Sequence, residues 1–204
     1  MTPDYWMRAK RALARRDAVL ARIIRAHPRI ALVCRGEPFK TLARSIVGQQ
    51  ISVKAAESVW NRVLVLAPAA TPEQLLKARR RLPACGLSQR KAEYIADLAR
   101  HFAEGTIHAR DWPDMEDEAV IAELIQVRGI GRWTAEMFLM FSLLRPDVLP
   151  LDDLGLQRAI SLHYFDGERV ARERLRELGA NWAPWRSVAT WYLWRSLDPV
   201  PVEY

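Results

Sequence analysis

The chain has 204 residues, half of them hydrophobic, and carries a formal net charge of +7. No apolar run approaches the roughly 18 residues of a membrane span, and the N-terminus lacks the apolar core of a signal peptide, so we expect an uncleaved, cytoplasmic protein. Two distant cysteines, Cys34 and Cys85, and four histidines without metal-ligand spacing argue against a disulfide framework or a zinc site. No motif in the sequence implies an organic cofactor.

Hydrophobic periodicity predicts an all-α fold, since no convincing alternating strand occurs. Breaks are indicated at Pro113 and Pro146. The predicted helices cover residues 4–26, 38–48, 52–65, 72–79, 88–103, 116–127, 132–144, 153–163, 168–178 and 184–196.

The first predicted helix lies in a strongly basic segment. Residues 1–35 contain nine Lys or Arg and two Asp, whereas the remainder holds 22 residues of each sign. A basic helix is the footprint expected of a phosphate-binding face, although a charge run is more often a solvated surface. The segment therefore supports nucleic-acid binding only weakly. Its basic residues are Arg8, Lys10, Arg11, Arg15, Arg16, Arg22, Arg25, Arg29 and Arg35.

The predicted helices 116–127 and 132–144 are joined by a very short turn, Gly129-Ile130-Gly131. Glycine at both positions would allow positive φ and the close approach of another backbone. The N–H groups that open the second helix would then point outward as anion donors. A Gly-x-Gly turn is also common between packed helices, but this arrangement resembles a helix-hairpin-helix.

The residues around this turn carry a more specific resemblance. Residues 128–135, with Asp153 twenty positions after Trp133, resemble the helix-hairpin-helix (HhH-GPD) DNA glycosylases, and among them the DNA-3-methyladenine glycosylase II family. That family usually has proline where Arg128 stands. Residues 39–52 and 182–187 are also similar to its helices, as is the stretch 86–95, so the likeness runs from about Phe39 to Trp194.

The resemblance implies a fold of two helical subdomains with the active-site cleft between them. The central subdomain would be residues 36–145, with the hairpin at about 117–142. The other would combine residues 1–35 with 146–204. Asp153 would then lie in the cleft.

The resemblance also implies roles for carboxylate and aromatic side chains. Its spacing from Trp133 marks Asp153 as the catalytic residue, because a carboxylate can stabilise an oxocarbenium-like sugar and orient water. Asp152 is left as the helix cap, although capping is the common role of any aspartate at a helix start. Trp133, Trp194 and Met137 match positions of the base pocket, where an indole face would attract a cationic alkylated purine. We expect Trp182, Trp185 and Trp191 to serve packing, as tryptophan at helical spacing usually does.

In the same family the hairpin grips a DNA phosphate and another loop fills the gap left by the extruded base. The phosphate would be bound by residues Gly129, Ile130, Gly131, Arg132 and Thr134, and a Na or K ion can sit among the hairpin carbonyls. Gln50 or Ile51, with Gln49 beside them, would enter the duplex, although this loop could simply connect two helices.

We therefore expect a monomeric, monofunctional glycosylase that flips alkylated purines out of damaged double-stranded DNA in base excision repair. Trp133 occupies the place where lyase relatives carry a Schiff-base lysine, and no lysine follows Lys91. The iron-sulfur branch of the superfamily needs four closely spaced cysteines, and this chain has two distant ones.

Two alternatives stay open. One is a non-catalytic helix-hairpin-helix DNA-binding module. The other is a glycosylase for oxidised or deaminated bases, since Met137 stands where relatives often have an aromatic residue.

Overall fold

The structure of the protein is a computed structural model that describes residues 2–28, 31–34 and 36–197. Within these ranges the chain forms α-helices and two short 3-10 turns and no strand, so the all-α prediction is confirmed. The helices are α1 Trp6–Arg16, α2 Ala18–Ala26, α3 Pro38–Gly48, α4 Val53–Leu66, α5 Pro72–Ala78, α6 Gln89–Glu104, α7 Asp117–Leu124, α8 Arg132–Phe141, α9 Leu154–Tyr164, α10 Arg172–Ala180 and α11 Arg186–Leu197. The 3-10 turns are Leu82–Cys85 and Trp112–Asp114.

The single helix predicted over residues 4–26 is wrong, because the chain breaks at Asp17. This residue is extended (φ −136°, ψ 111°), and its carboxylate caps α2 by accepting from the Leu20 N–H at 2.9 Å. The same carboxylate accepts from the Tyr164 hydroxyl at 2.7 Å and from the Trp182 indole N–H at 3.0 Å. Both donors are remote in sequence, so helical period alone could not reveal this break.

The described chain divides into two compact units. The terminal unit contains the residues up to Cys34 and those from Leu139 onward, and the central unit contains residues 36–138. The second boundary thus falls at Leu139, whereas the resemblance placed it near residue 146.

In the terminal unit, α11 is the central helix and is buried on every side, with α1, α2 and α9 packed against it. Aromatic rings fill the interface with α1. Trp6 meets Trp191 edge-on at 5.3 Å and stacks on Tyr192 at 5.8 Å between ring centroids. Such contacts stabilise a pair by roughly 0.5–1.5 kcal/mol beyond their buried area. The helix α9 is thus positioned by its packing against α11.

In the central unit, α3 packs against α4 and α6. A chain of aromatic rings crosses its core, with centroid distances of 5.1 Å for Phe39–Phe102, 6.1 Å for Phe102–Trp112 and 5.1 Å for Trp112–Phe138. Phe102 lies on α6 and Phe138 on α8. The rings therefore connect the hairpin's second helix to the core helices.

Most basic side chains of the segment are exposed on α1 and α2. Arg29 and Arg35 lie outside the described residues. Arg16 donates to the Ala183 carbonyl at 2.8 Å, and the Arg8 guanidinium lies 5.3 Å from the Trp185 ring centroid. Binding of DNA by this surface stays a prediction. No helix in the described ranges is long and apolar enough to span a membrane.

Both cysteines are free, Cys85 being buried and Cys34 partly exposed. The described part of the chain contains no cluster of three or more His, Cys, Asp or Glu side chains able to bind a metal ion.

Candidate functional site

The hairpin turn runs from the end of α7 at Leu124 to the start of α8 at Arg132. Two of its apolar residues are buried, with Val127 1% and Ile130 4% exposed, whereas Ile125 is 49% exposed. The Ile130 N–H closes the turn by donating to the Val127 carbonyl at 3.1 Å. Among the described residues no acceptor is hydrogen-bonded to the N–H of Gly129 or Gly131. These two groups can therefore donate to an external acceptor.

The two glycines have different structural requirements. Gly129 has φ of +87°, and a Cβ there would lie 2.1 Å from Cδ2 of the Tyr94 ring. Gly131 does not have positive φ, and a Cβ there would meet nothing within 4 Å. The positive φ that glycine permits is thus found at Gly129 and not at Gly131. Only the first is required by the fold itself.

Arg132 connects the two helices of the hairpin. Its guanidinium forms a two-pronged pair with Glu118 of α7, including an Nη1 to Oε2 distance of 3.0 Å, and its Nε donates to Glu136 at 3.1 Å. Donation from Arg132 lowers the pKa of the Glu118 carboxyl. Arg132 therefore braces the hairpin from the first turn of α8. Thr134, two residues further along α8, is only 6% exposed.

A second loop of the central unit, residues 49–52, follows α3. The side chain of Gln49 turns toward the hairpin, where its Nε2 donates to the Gly129 carbonyl at 2.8 Å. Gln50 has φ of +60° and is exposed, and Ile51 is 42% exposed although it is a large apolar residue. The loop ends at Ser52, whose hydroxyl caps α4. Gln50 and Ile51 therefore form its exposed tip.

Three residues of α6 support these two loops, and sequence reasoning assigned none of them a role at the site. Lys91 Nζ donates to the carbonyls of Val47, at 2.8 Å, and Gln49. The Tyr94 ring lies against Gly129. Asp97, 7% exposed, accepts from the Arg128 N–H at 3.0 Å. Their spacing of three places them along one face of α6. In the sequence, the only sign of this role is a charged residue on a helix face that is otherwise buried.

In the terminal unit, Asp153 is the N-cap of α9 and is 9% exposed. Its Oδ1 accepts from the Leu156 N–H at 2.6 Å and from the Trp194 indole N–H at 2.7 Å. Asp152 is exposed and pairs with Arg172. The prediction that Asp152 caps the helix is therefore wrong. An aspartate can cap only from the N-cap position, which the chain gives to Asp153.

Trp194 is held in place by a second aromatic side chain. Its ring stacks on Phe141 with centroids 6.0 Å apart and an interplanar angle of 12°. Gly155 provides room on the α9 side, since a Cβ there would lie 3.2 Å from Trp194 Cδ1 and 3.1 Å from Asp153 Oδ1. The structure thus brings two predicted site residues, Asp153 and Trp194, into contact and adds Phe141, which sequence reasoning missed.

The other predicted pocket residues, Trp133 and Met137, are partly buried on α8 in the central unit. That they join Asp153 in one pocket stays a prediction. Of the tryptophans expected to pack, Trp182 and Trp191 are buried at 0% and 6% exposure. Trp185 is half-buried and stacks on Tyr5 at 5.7 Å.

The model of one protein family matches this chain. It describes the HhH-GPD superfamily of base excision DNA repair proteins and covers residues 43–184. The match therefore includes the 49–52 loop, the hairpin and Asp153.

Curated relatives and a solved structure give a similar result. The putative DNA-3-methyladenine glycosylase YfjP of Bacillus subtilis is 44% identical over 111 residues, which are 54% of this chain and 39% of the relative. DNA-3-methyladenine glycosylase 1 of Schizosaccharomyces pombe is 33% identical over 165 residues, 78% of this chain and 72% of the relative. The structure of the Schizosaccharomyces pombe 3-methyladenine DNA glycosylase in complex with abasic DNA superposes with a TM-score of 0.82 at 29% identity, covering 97% of this chain and 99% of that one.

Proposed function

Because this chain belongs to the HhH-GPD superfamily of base excision DNA repair proteins, we propose that it is a DNA glycosylase that excises alkylated purines from duplex DNA. The substrates are purines of the 3-methyladenine and 7-methylguanine class, and the product is an abasic site. The names of the curated relatives support this substrate class. The observation that carries the proposal is a nearly buried carboxylate, Asp153, oriented by an indole N–H.

Asp153 suits the stabilisation of a developing positive charge. When the N-glycosidic bond breaks, the sugar becomes oxocarbenium-like, and a carboxylate fixed in advance stabilises it without reorganisation. Asp153 is fixed twice, by the α9 backbone and by Trp194. Capping alone would need only the first of these bonds. The carboxylate can also orient, or take a proton from, the attacking water.

The aromatic side chains suit a cationic base. An N-alkylated purine carries positive charge, and an indole face attracts such a ring by stacking and by cation-π interaction, worth roughly 0.5–2 kcal/mol. Trp194 is positioned for this by its stack on Phe141. The positive charge also makes the purine a better leaving group, so little acid catalysis is required.

The hairpin suits the grip on DNA. A phosphate would accept from the N–H groups of Gly129 and Gly131 and would be favoured by the N-terminal end of the α8 dipole. A Na or K ion at the turn carbonyls belongs to the same proposal. No lysine follows Lys91, and Trp133 stands two residues after Gly131. Strand cleavage through a Schiff base is therefore not part of the proposed reaction, which a monomer carries out.

The test is release of bases from methylated genomic DNA by the purified protein and by two variants. We expect the wild type to release 3-methyladenine and 7-methylguanine, and Asp153→Asn to be slower by at least about 100-fold. The asparagine still caps α9, so its melting temperature should stay close to that of the wild type. Asp152→Asn is the matched control, because Asp152 is the exposed neighbour paired with Arg172. It should keep nearly full activity.

Equal activity of Asp153→Asn and the wild type would disprove the catalytic assignment. Tight DNA binding without release of any methylated base would favour a non-catalytic module. Release of oxidised or deaminated bases instead would retain the glycosylase and change its substrate class.

A further inference from the structure

The loop 49–52 and the hairpin turn are 80 residues apart in sequence, yet a direct hydrogen bond joins them. Gln49 Nε2 donates to the Gly129 carbonyl at 2.8 Å, and the bond is partly buried. This contact directs the Gln49 amide into the protein. It leaves Gln50 and Ile51 exposed at the tip of the loop.

Lys91 of α6 holds the same loop and the end of α3 through hydrogen bonds to their main chain. The last carbonyls of a helix have no partner within the helix, and a cation at that end is favourable. Lys91 Nζ takes this position at the end of α3, donating to the carbonyls of Val47 and Gln49. Burial lowers the pKa of the Lys91 ammonium. The residue that reaches the hairpin is thus itself held through its main chain.

The hairpin turn is held by the same helix. Tyr94 lies where a Cβ of residue 129 would be, and Asp97 accepts from the Arg128 N–H. Together with Lys91 these residues occupy one face of α6. Both loops therefore contact the same face of α6, and the Gln49 side chain joins one loop to the other.

We propose that Gln49 is a positioning residue that couples the 49–52 loop to the hairpin, so that phosphate grip and insertion into the duplex occur as one rigid unit. The inference rests on the proposed function, since it assigns both loops to DNA. In this arrangement the hairpin sets the distance between the gripped phosphate and the tip at Gln50 and Ile51. Gln49 acts through the loop and touches no reacting atom.

The experiment uses a duplex that contains an abasic-site analogue with 2-aminopurine opposite it, whose fluorescence reports unstacking at the gap. At saturating protein, Gln49→Leu should lose most of the wild-type fluorescence change. Its single-turnover excision rate should fall about threefold to tenfold, the loss expected for one internal hydrogen bond. The melting temperature should fall by only about 1–6 °C, so the variant stays folded. Gln89→Leu is the matched control, because the side chain of this exposed glutamine of α6 hydrogen-bonds only to Glu93 among the described residues.

A second variant separates positioning from general stability. Gln49→Glu places an ionised carboxylate against the Gly129 carbonyl, which is also an acceptor. Its fluorescence change and rate should be lower than those of Gln49→Leu at neutral pH. They should recover as the pH falls, because the protonated carboxyl can donate. Gln49→Leu should show no such recovery relative to the wild type.

Wild-type fluorescence and rate in Gln49→Leu would overturn the coupling, as would an effect of Gln89→Leu of equal size. Absence of any fluorescence change with the wild type would also overturn it, because the loop would not enter the gap. A wild type that changes the fluorescence but excises no alkylated base would refute the proposed function, and loss of that change in Gln49→Leu would still support the coupling.

Discussion

Replacing Gly129 with alanine should destabilise the protein by about 2–5 kcal/mol. The backbone there has φ of +87°, a left-handed conformation that costs a residue with a side chain roughly 1–2 kcal/mol. The new Cβ would lie 2.1 Å from Cδ2 and 2.4 Å from Cγ of Tyr94, well inside van der Waals contact. Overpacking of this kind costs about a further 1–3 kcal/mol.

Thermal denaturation provides the assay, and Gly131→Ala provides the control. At roughly 2–4 °C per kcal/mol for a chain of this size, Gly129→Ala should melt about 10 °C below the wild type. Gly131 does not have positive φ, and a Cβ added there would have no atom within 4 Å. The Gly131→Ala variant should therefore stay within about 0.5 kcal/mol of the wild type.

A double-mutant cycle with Tyr94→Ala separates the two contributions. Once the ring is removed, Gly129→Ala should retain only the conformational cost, so the two substitutions should be coupled by about 1–3 kcal/mol. The reasoning is refuted if Gly129→Ala melts within about 2 °C of the wild type. Equal destabilisation by Gly131→Ala would refute it as well.

Two further predictions concern the carboxylate site and pH. Trp194→Phe keeps the stack on Phe141 but removes the indole donor to Asp153, so single-turnover excision should slow by about tenfold to hundredfold, the cost of losing a bond to a charged acceptor. Unchanged excision would show that the indole does not orient the carboxylate. The hydrogen bond with Glu123 raises the pKa of His108, so its stabilisation is full below the unfolded value of about 6.5 and is lost as pH rises through the raised pKa. The melting-temperature difference between wild type and His108→Gln should therefore shrink at alkaline pH, and a constant difference would contradict the assignment.

Much of the local structure follows from the order of residues. The helical periods around Val120 and Phe138 predict two helices with a short connection, and the structure has α7 and α8 there. The period failed at Asp17, where one predicted helix is two. A capping side chain needs only local donors, but Asp17 is also bound by Tyr164 and Trp182, and no local pattern contains those partners.

Residue order alone accounts for most of the helices and the Gly-x-Gly turn, because helical period and turn motifs are properties of residues close in sequence. The choice of Asp153 as the candidate catalytic residue came from its spacing in the resembled motif. Which of the two glycines is indispensable depends instead on packing, since the Tyr94 ring that excludes a Cβ comes from another helix. Packing likewise placed the Trp194 indole on Asp153 and the Gln49 amide on Gly129. The partners in these two contacts are 41 and 80 positions apart in sequence. Such contacts form only when helices pack, and the pattern of residues along the chain does not indicate which helix faces pack together.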